Sequence, residues 1–189
     1  EVKEILANYN LPKLISHSEI SEGVENSNFL LQNVGQKYVM TIFEKRVQQQ
    51  DLPFYIKLMQ HLRQKNIPCP DVIANKNNDY LFYFKNKTGL ILSFVEGKTA
   101  TEVSKDICTQ LGGFLASFHL AVADFPLSRT NDFSINKIND IFSQLTDKIP
   151  HKQEKEIKQI LDDINQQELP NMPRGIIHAD LFPDNLFFT

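Results

Sequence analysis

The sequence predicts an α+β protein of two lobes. A strand-rich lobe spans residues 1–95 and a helical lobe spans 96–189. Three observations carry this division. Short runs of β-branched and aromatic residues, separated by turn residues, fill residues 14 to 95. Beyond residue 103 the apolar residues adopt helical spacing. Between the two textures, Phe94-Val95-Glu96-Gly97-Lys98 reads as a connector.

The elements follow in order. Val2, Ile5, Leu6 and Tyr9 lie at helical spacing and predict a short helix that ends near Pro12. Leu14 to Ile20, Asn28 to Val34 and Lys37 to Phe43 read as strands. Residues 21 to 27 join the first pair and Gly35-Gln36 joins the second. Asp51 is placed to cap a helix, with Pro53 tolerated in its first turn and Leu52, Tyr55, Leu58, Met59 and Leu62 as its apolar stripe. Pro68-Cys69-Pro70 breaks the chain after it. Tyr80 to Phe84 and Gly89 to Val95 complete about five strands, joined by the polar stretch 85–88. The helical lobe holds three apolar stripes. They run from Val103 to Val122, from Ile135 to Leu145 and from Ile157 to Ile164. Residues 146 to 168, rich in Lys, Asp, Glu and Gln, read as one solvated helix face.

Composition removes several functional classes. The formal net charge of -3 gives no electrostatic case for nucleic acid or an anionic membrane surface. No apolar run approaches the roughly 18 residues that span a bilayer. Cys69 and Cys108 have no C-x-x-C spacing, so they form neither a disulfide framework nor a zinc site, and they fit a cytoplasmic location. The oligomeric state is not legible.

The chemistry concentrates in His178-Ala179-Asp180-Leu181-Phe182-Pro183-Asp184-Asn185, an H-x-D-x-x-x-x-N pattern followed by the apolar run Leu186-Phe187-Phe188. Kinase catalytic loops are built this way. The Asp accepts the proton of an acceptor hydroxyl and the Asn holds a magnesium ion on ATP. Asp180 is therefore the candidate base and Asn185 the candidate metal ligand, against the plainer reading of a turn Asp and a turn-closing Asn. His178 is expected to pack beneath the loop. His119 is expected to be a core histidine on the long helix. The loop at 21–28 is the candidate phosphate cover. It has one glycine, Gly23, and the amides around Asn26, Ser27 and Asn28 with the Ser27 hydroxyl can reach phosphate oxygens. The same segment also reads as an ordinary hairpin turn. On the next strand, where a kinase usually carries a lysine, the position falls at Thr41; Lys37 and Lys45 share its strand face.

Gly23-Val24-Glu25-Asn26-Ser27-Asn28, Ile67-Pro68-Cys69-Pro70, Leu111-Gly112-Gly113-Phe114-Leu115-Ala116-Ser117-Phe118-His119 and above all the 178–185 loop resemble homoserine kinases of the aminoglycoside-phosphotransferase superfamily. The resemblance implies a protein-kinase-like fold, MgATP as donor and the side-chain hydroxyl of L-homoserine as acceptor. The product would be O-phospho-L-homoserine, on the route to threonine. Asp180 would be the base, Asn185 a Mg2+ ligand, and the connector around Ser93 and Val95 would offer backbone groups to adenine. Other small-molecule kinases of the superfamily, acting on choline, methylthioribose or aminoglycosides, share the same machinery. The sequence departs from the superfamily at Thr41. It also ends at Thr189, before a metal-binding Ile-Asp-Phe-like segment that the resemblance implies. The expectation is a fragment or truncated reading frame with an incomplete helical lobe, impaired in catalysis as it stands; the alternative is a catalytically dead nucleotide-binding or interaction module.

Overall fold

The structure is a computed structural model that describes residues 1–21, 26–44, 48–99, 102–167 and 173–188. It divides into two compact units, Glu1–Leu127 with Gly175–Thr189, and Ser128–Arg174.

The first unit is organised by an antiparallel sheet. Its strands are β1 (Leu14–Ile20), β2 (Asn26–Asn33), β3 (Gln36–Phe43), β4 (Val72–Ile73), β5 (Leu81–Phe84) and β6 (Lys87–Ser93). They run in the order β1-β2-β3-β6-β4, with β5 also paired to β6. The residues of 2-residue period decide which face is dry. Leu31 on β2, Tyr38 and Met40 on β3, Ile91 on β6 and Phe82 on β5 are buried with Ile5 and Tyr9 from the N-terminal segment. Helix α1 (Val2–Leu6) thus closes one face of the sheet. Each fully buried Leu, Ile or Met contributes about 1.5–3 kcal/mol through burial. Burial also pushes the Tyr9 hydroxyl up to about 12, with Asp79 adding to the effect.

Turn chemistry sets the register. Lys85 and Asn86 both have positive φ, 48° and 64°, so β5 and β6 join through a two-residue turn of the primed kind that matches strand twist. The polar stretch 85–88 is therefore not a loop. Its second half begins β6, and Thr88 is buried. Likewise β2 starts at Asn26, so Asn26 and Ser27 are strand residues paired with Phe43 and Ile42 rather than loop residues.

Helix α2 (Leu52–Gln64) follows a 3-10 turn, Gln49–Asp51. Asp51 occupies the N-cap position, yet its side chain makes no cap hydrogen bond, because the preceding turn already leads into the helix. Helix α3 (Lys105–Ala121) is capped as its sequence asks: Ser104 Oγ accepts from Ile107 N at 3.2 Å. Val103 lies ahead of this helix and is exposed. A second core joins Leu62 and Ile67 to Phe118, Ala121 and Val122, with Phe114, Phe125, Cys69 and Ile176 packed against it.

The histidine expectation is corrected here. His119 is exposed. His61, on α2, is the packed histidine. Its side chain is 15% exposed, and its Nε2 lies 2.8 Å from Ala121 O and 3.1 Å from Asp124 Oδ1. Lys65 Nζ reaches Asp124 Oδ2 at 2.5 Å. The hydrogen bond from Lys65 holds the Asp124 carboxyl below the usual range, helped by the charges of Lys65 and His61.

A two-stranded sheet pairs β7 (Lys98–Thr99) with β8 (Phe187–Phe188), Lys98 opposite Phe188 and Thr99 opposite Phe187. Gly97 just before it has φ 153°, and a Cβ there would lie 3.0 Å from Phe187 Cβ and 3.1 Å from Phe188 O. Only glycine suits that approach.

The second unit holds α4 (Ile135–Ser143) and α5 (His151–Gln166). Ser134 caps α4 by accepting from Lys137 N. Leu161 is buried, while Ile157, Ile160 and Ile164 remain partly exposed. Of the polar stretch 146–168, the described part holds a 3-10 turn, Thr146–Lys148, and helix α5, whose one buried residue is Leu161.

Three outcomes are expected. Gly89→Ala should lower stability by about 2–3 kcal/mol in denaturant titration, because its Cβ would meet Thr41 O at 2.6 Å and Phe82 Cζ at 2.3 Å. Gly97→Ala should cost about 1–3 kcal/mol by the same measurement. For Asp124, a depressed folded pKa means stabilisation is complete above the unfolded carboxylate range and lost as pH falls through the folded value. The Tm gap between wild type and Lys65→Met should therefore close on acidification below that range, and a gap independent of pH would refute the link.

Candidate active site

The 178–185 segment is a tight loop set between the second core and β8. Ile176 anchors its start in that core. A 3-10 turn, Pro183–Asn185, closes it, with Asn185 N donating to Phe182 O at 2.9 Å. Proline suits the first position of such a turn, where no donor is required. Ala179 has φ 63°, a left-handed conformation that L side chains seldom adopt. That local strain sits directly before Asp180, at the point where the loop reverses. Strain of this kind costs about 1–3 kcal/mol and concentrates at functional sites.

Asp180 and Asn185 are joined. Asn185 Nδ2 donates to both Asp180 O and Asp180 Oδ2, each at 2.9 Å. Both residues are exposed, so the pair is accessible. The carboxamide fixes one carboxylate oxygen and leaves Oδ1 of Asp180 for a proton. It also leaves the Asn185 carbonyl oxygen as a neutral hard donor. Such a donor beside a carboxylate fits a Mg2+ ion, which takes one or two protein oxygens and completes its shell with phosphate and water. Among the described residues no three His, Cys, Asp or Glu side chains converge on a metal site. His178 is exposed and does not pack beneath the loop.

The second group of expected residues lies at one end of the main sheet. Gly23 falls outside the described residues. Asn26, Ser27 and Asn28 form the first turn-proximal residues of β2. Asn28 stands opposite Thr41, and Thr41 Oγ1 donates to Asn28 Oδ1 at 2.9 Å. Thr41 is buried. The strand position that would carry a lysine is therefore a neutral, internally satisfied pair. Ser27 Oγ donates to Glu44 Oε1 at 3.0 Å, and Lys87 Nζ lies 2.7 Å from the same oxygen. Glu44 and Lys87 were not singled out from the sequence. Glu44 ends a strand beside a basic dipeptide, and Lys87 sat in an apparent loop, so neither carried a periodic signal. Lys45 falls outside the described residues. Lys37 pairs with Glu96 at 2.8 Å, at the opposite end of β3, with its ammonium over the Phe94 ring.

The connector residues differ in their freedom. Ser93 ends β6, where its N–H donates to Asp71 O at 2.9 Å and its Oγ accepts from Asp71 N at 2.8 Å. Val95 lies beyond the strand and is 39% exposed. A groove of about 620 Å³ between Lys65–Pro68 and the Gly113, Phe114 and Ser117 side of α3 contains none of these residues.

Comparison with known proteins gives the geometry a setting. The chain is 37% identical over 191 residues to the homoserine kinase of Nitrobacter hamburgensis, covering 100% of this chain and 59% of that protein. It is 38% identical over 191 residues to the homoserine kinase of Parvibaculum lavamentivorans, covering 100% of this chain and 60% of the relative. It thus spans about three fifths of the length of these curated relatives. Among solved structures it is similar to a spectinomycin phosphotransferase crystallised with ADP and spectinomycin. The TM-score is 0.60 at 10% identity, over 100% of this chain and 64% of the other, and this likeness bears on fold alone. The fold is the kinase-like one, a strand-rich lobe with helices. The sequence profile of the phosphotransferase enzyme family matches residues 16–189, and the chain belongs to that family.

Proposed function

We propose that the protein transfers the γ-phosphoryl group of ATP to the side-chain hydroxyl of L-homoserine, giving O-phospho-L-homoserine. The observation that carries this reading is the accessible Asp180–Asn185 pair. The likeness to homoserine kinases along the whole chain supports the choice of acceptor. Asp180 Oδ1 accepts the hydroxyl proton as the acceptor oxygen attacks. Asn185 fixes the other carboxylate oxygen, so the base keeps one orientation and pays little entropy on binding. Its carbonyl oxygen is the Mg2+ donor. MgATP, when bound, supplies the phosphoryl group and offsets the charge that develops on it. In this reading Asn26, Ser27 and Asn28 border the phosphates with Thr41 as their neutral support, and Gly23, which precedes them in sequence, belongs to the same group. Val95 and the end of β6 at Ser93 lie along the adenine edge. The lobe boundary is placed near residue 95, and the location is cytoplasmic. No helix among the described residues is long and apolar enough to cross a membrane.

The test is ADP release from MgATP by the protein expressed to the stop codon of its reading frame. L-Homoserine, choline, methylthioribose and an aminoglycoside are offered separately. Turnover with homoserine alone is expected, and Asp180→Asn should reduce it at least about 100-fold. Turnover with a different acceptor would reassign the substrate. Nucleotide binding without turnover on any acceptor would leave a nucleotide-binding module and sink the kinase reading.

A further inference from the structure

Residues 93 to 98 carry the chain out of the main sheet, and a side chain from β3 restrains their course. Ser93 is held on two sides, by Tyr38 opposite it on β3 and by its two hydrogen bonds to Asp71. Phe94 N then donates to Lys37 O at 3.2 Å. The chain is fixed again at Lys98, opposite Phe188. Between these anchors Val95 and Glu96 make no backbone hydrogen bond among the described residues. The span is held through Lys37 instead. Lys37 Nζ lies 2.8 Å from Glu96 Oε1 and 5.0 Å from the centre of the Phe94 ring, within the range of a cation–π contact. One residue of β3 therefore meets the connector at three points: the Phe94 N–H, the Phe94 ring and the Glu96 carboxylate.

Lys37 does not serve the phosphates from this place. It precedes Thr41 by four residues on β3, a separation of about 13 Å at ~3.3 Å per residue, and its ammonium is engaged with Glu96. Backbone groups that receive a base bind best when they are unpaired and already ordered, because ordering a loop on binding weakens affinity. Val95 is unpaired, and the order comes from the tether on either side of it. We infer that Lys37 is a positioning residue for the adenine base, acting through Phe94 and Glu96 to hold the backbone of Val95 in place. The inference rests on the reading of the protein as an ATP-dependent kinase with its connector along the adenine edge. The Lys37 and Glu96 side chains are 43% and 71% exposed, so their pair adds little to overall stability and variants at both positions are expected to fold.

The experiment uses the protein expressed to the stop codon of its reading frame, as wild type, Lys37→Met, Lys37→Arg, Glu96→Gln and the double variant of Lys37→Met with Glu96→Gln. MgATP is titrated into each, adenosine and magnesium tripolyphosphate are competed against it, and a thermal melt is run on each protein. Lys37→Met is expected to weaken MgATP and adenosine by the same factor, about three- to five-fold, and to leave tripolyphosphate unchanged. In turnover the KM for ATP should rise by that factor while kcat is kept. Glu96→Gln should show a smaller loss, and the double variant should lose no more than Lys37→Met, because the two side chains act as one unit. Lys37→Arg, which keeps the charge and the ring contact, should bind like wild type. A lysine that merely supports the fold would weaken all three ligands alike and lower Tm, and that result overturns the inference. Equal binding by wild type and Lys37→Met, or a loss confined to tripolyphosphate, overturns it while leaving the kinase reading intact. Failure of wild type to bind nucleotide at all overturns both.

Discussion

The pairing of β3 with β6 is the constraint on which the first unit depends. Six register pairs, from Tyr38 opposite Ser93 to Phe43 opposite Thr88, satisfy the facing backbone groups of two strands inside the sheet. The ladder closes only because Gly89 has no Cβ. Thr41 O and the Phe82 ring fill the space that a side chain would need. From this spine the site residues follow by chain continuity. On one side β3 pairs with the strand that carries Asn26, Ser27 and Asn28. At one end it delivers Glu44 next to Lys87. At the other, β6 leads through the connector to Gly97 and the small sheet that follows the 178–185 loop.

The two halves of the site solve different electrostatic problems. At the loop, a neutral amide steadies an exposed carboxylate without adding charge. At the sheet end, a carboxylate is steadied by a cation, and the neighbouring strand position is neutral. The hydrogen bond from Asn185 to Asp180 is cheap to maintain because both partners come from one short turn. The Glu44–Lys87 contact joins two strands, so it is only as rigid as the sheet beneath it.

Much of this was legible in the sequence where a residue pattern is long enough to repeat. The short apolar runs of β1, β2 and β3 and the helical spacing of α3 announced those elements, and the H-x-D-x-x-x-x-N spacing pointed to Asp180 and Asn185, the two residues that the structure joins. Elements of two residues escaped. Val72–Ile73 and Lys98–Thr99 are strands only because a distant partner lies alongside, and no local pattern of two residues can say so. The 85–88 stretch misled because polarity suggested a loop, while Lys85 and Asn86 adopt a backbone conformation more typical of glycine and asparagine. His119 and His61 exchanged roles for a similar reason. Helical spacing placed His119 near an apolar stripe, but which flank of α3 is covered depends on α2, and α2 brought its own histidine.

The small sheet that follows the 178–185 loop also dictates an order of assembly. Lys98 and Phe188 are separated by roughly ninety residues, whereas β1, β2 and β3 pair through near neighbours. Closing so long a loop is entropically costly and gains few contacts in return. During synthesis, at about 5–20 residues per second, β1, β2 and β3 can pair before the 178–188 segment has been made. The 178–185 loop is then secured after the β1–β2–β3 ladder, because its pairing partner lies so far back in the chain. A molecule in which β1, β2 and β3 had paired but Lys98–Thr99 had not yet met Phe187–Phe188 would have its sheet before the 178–185 loop was secured.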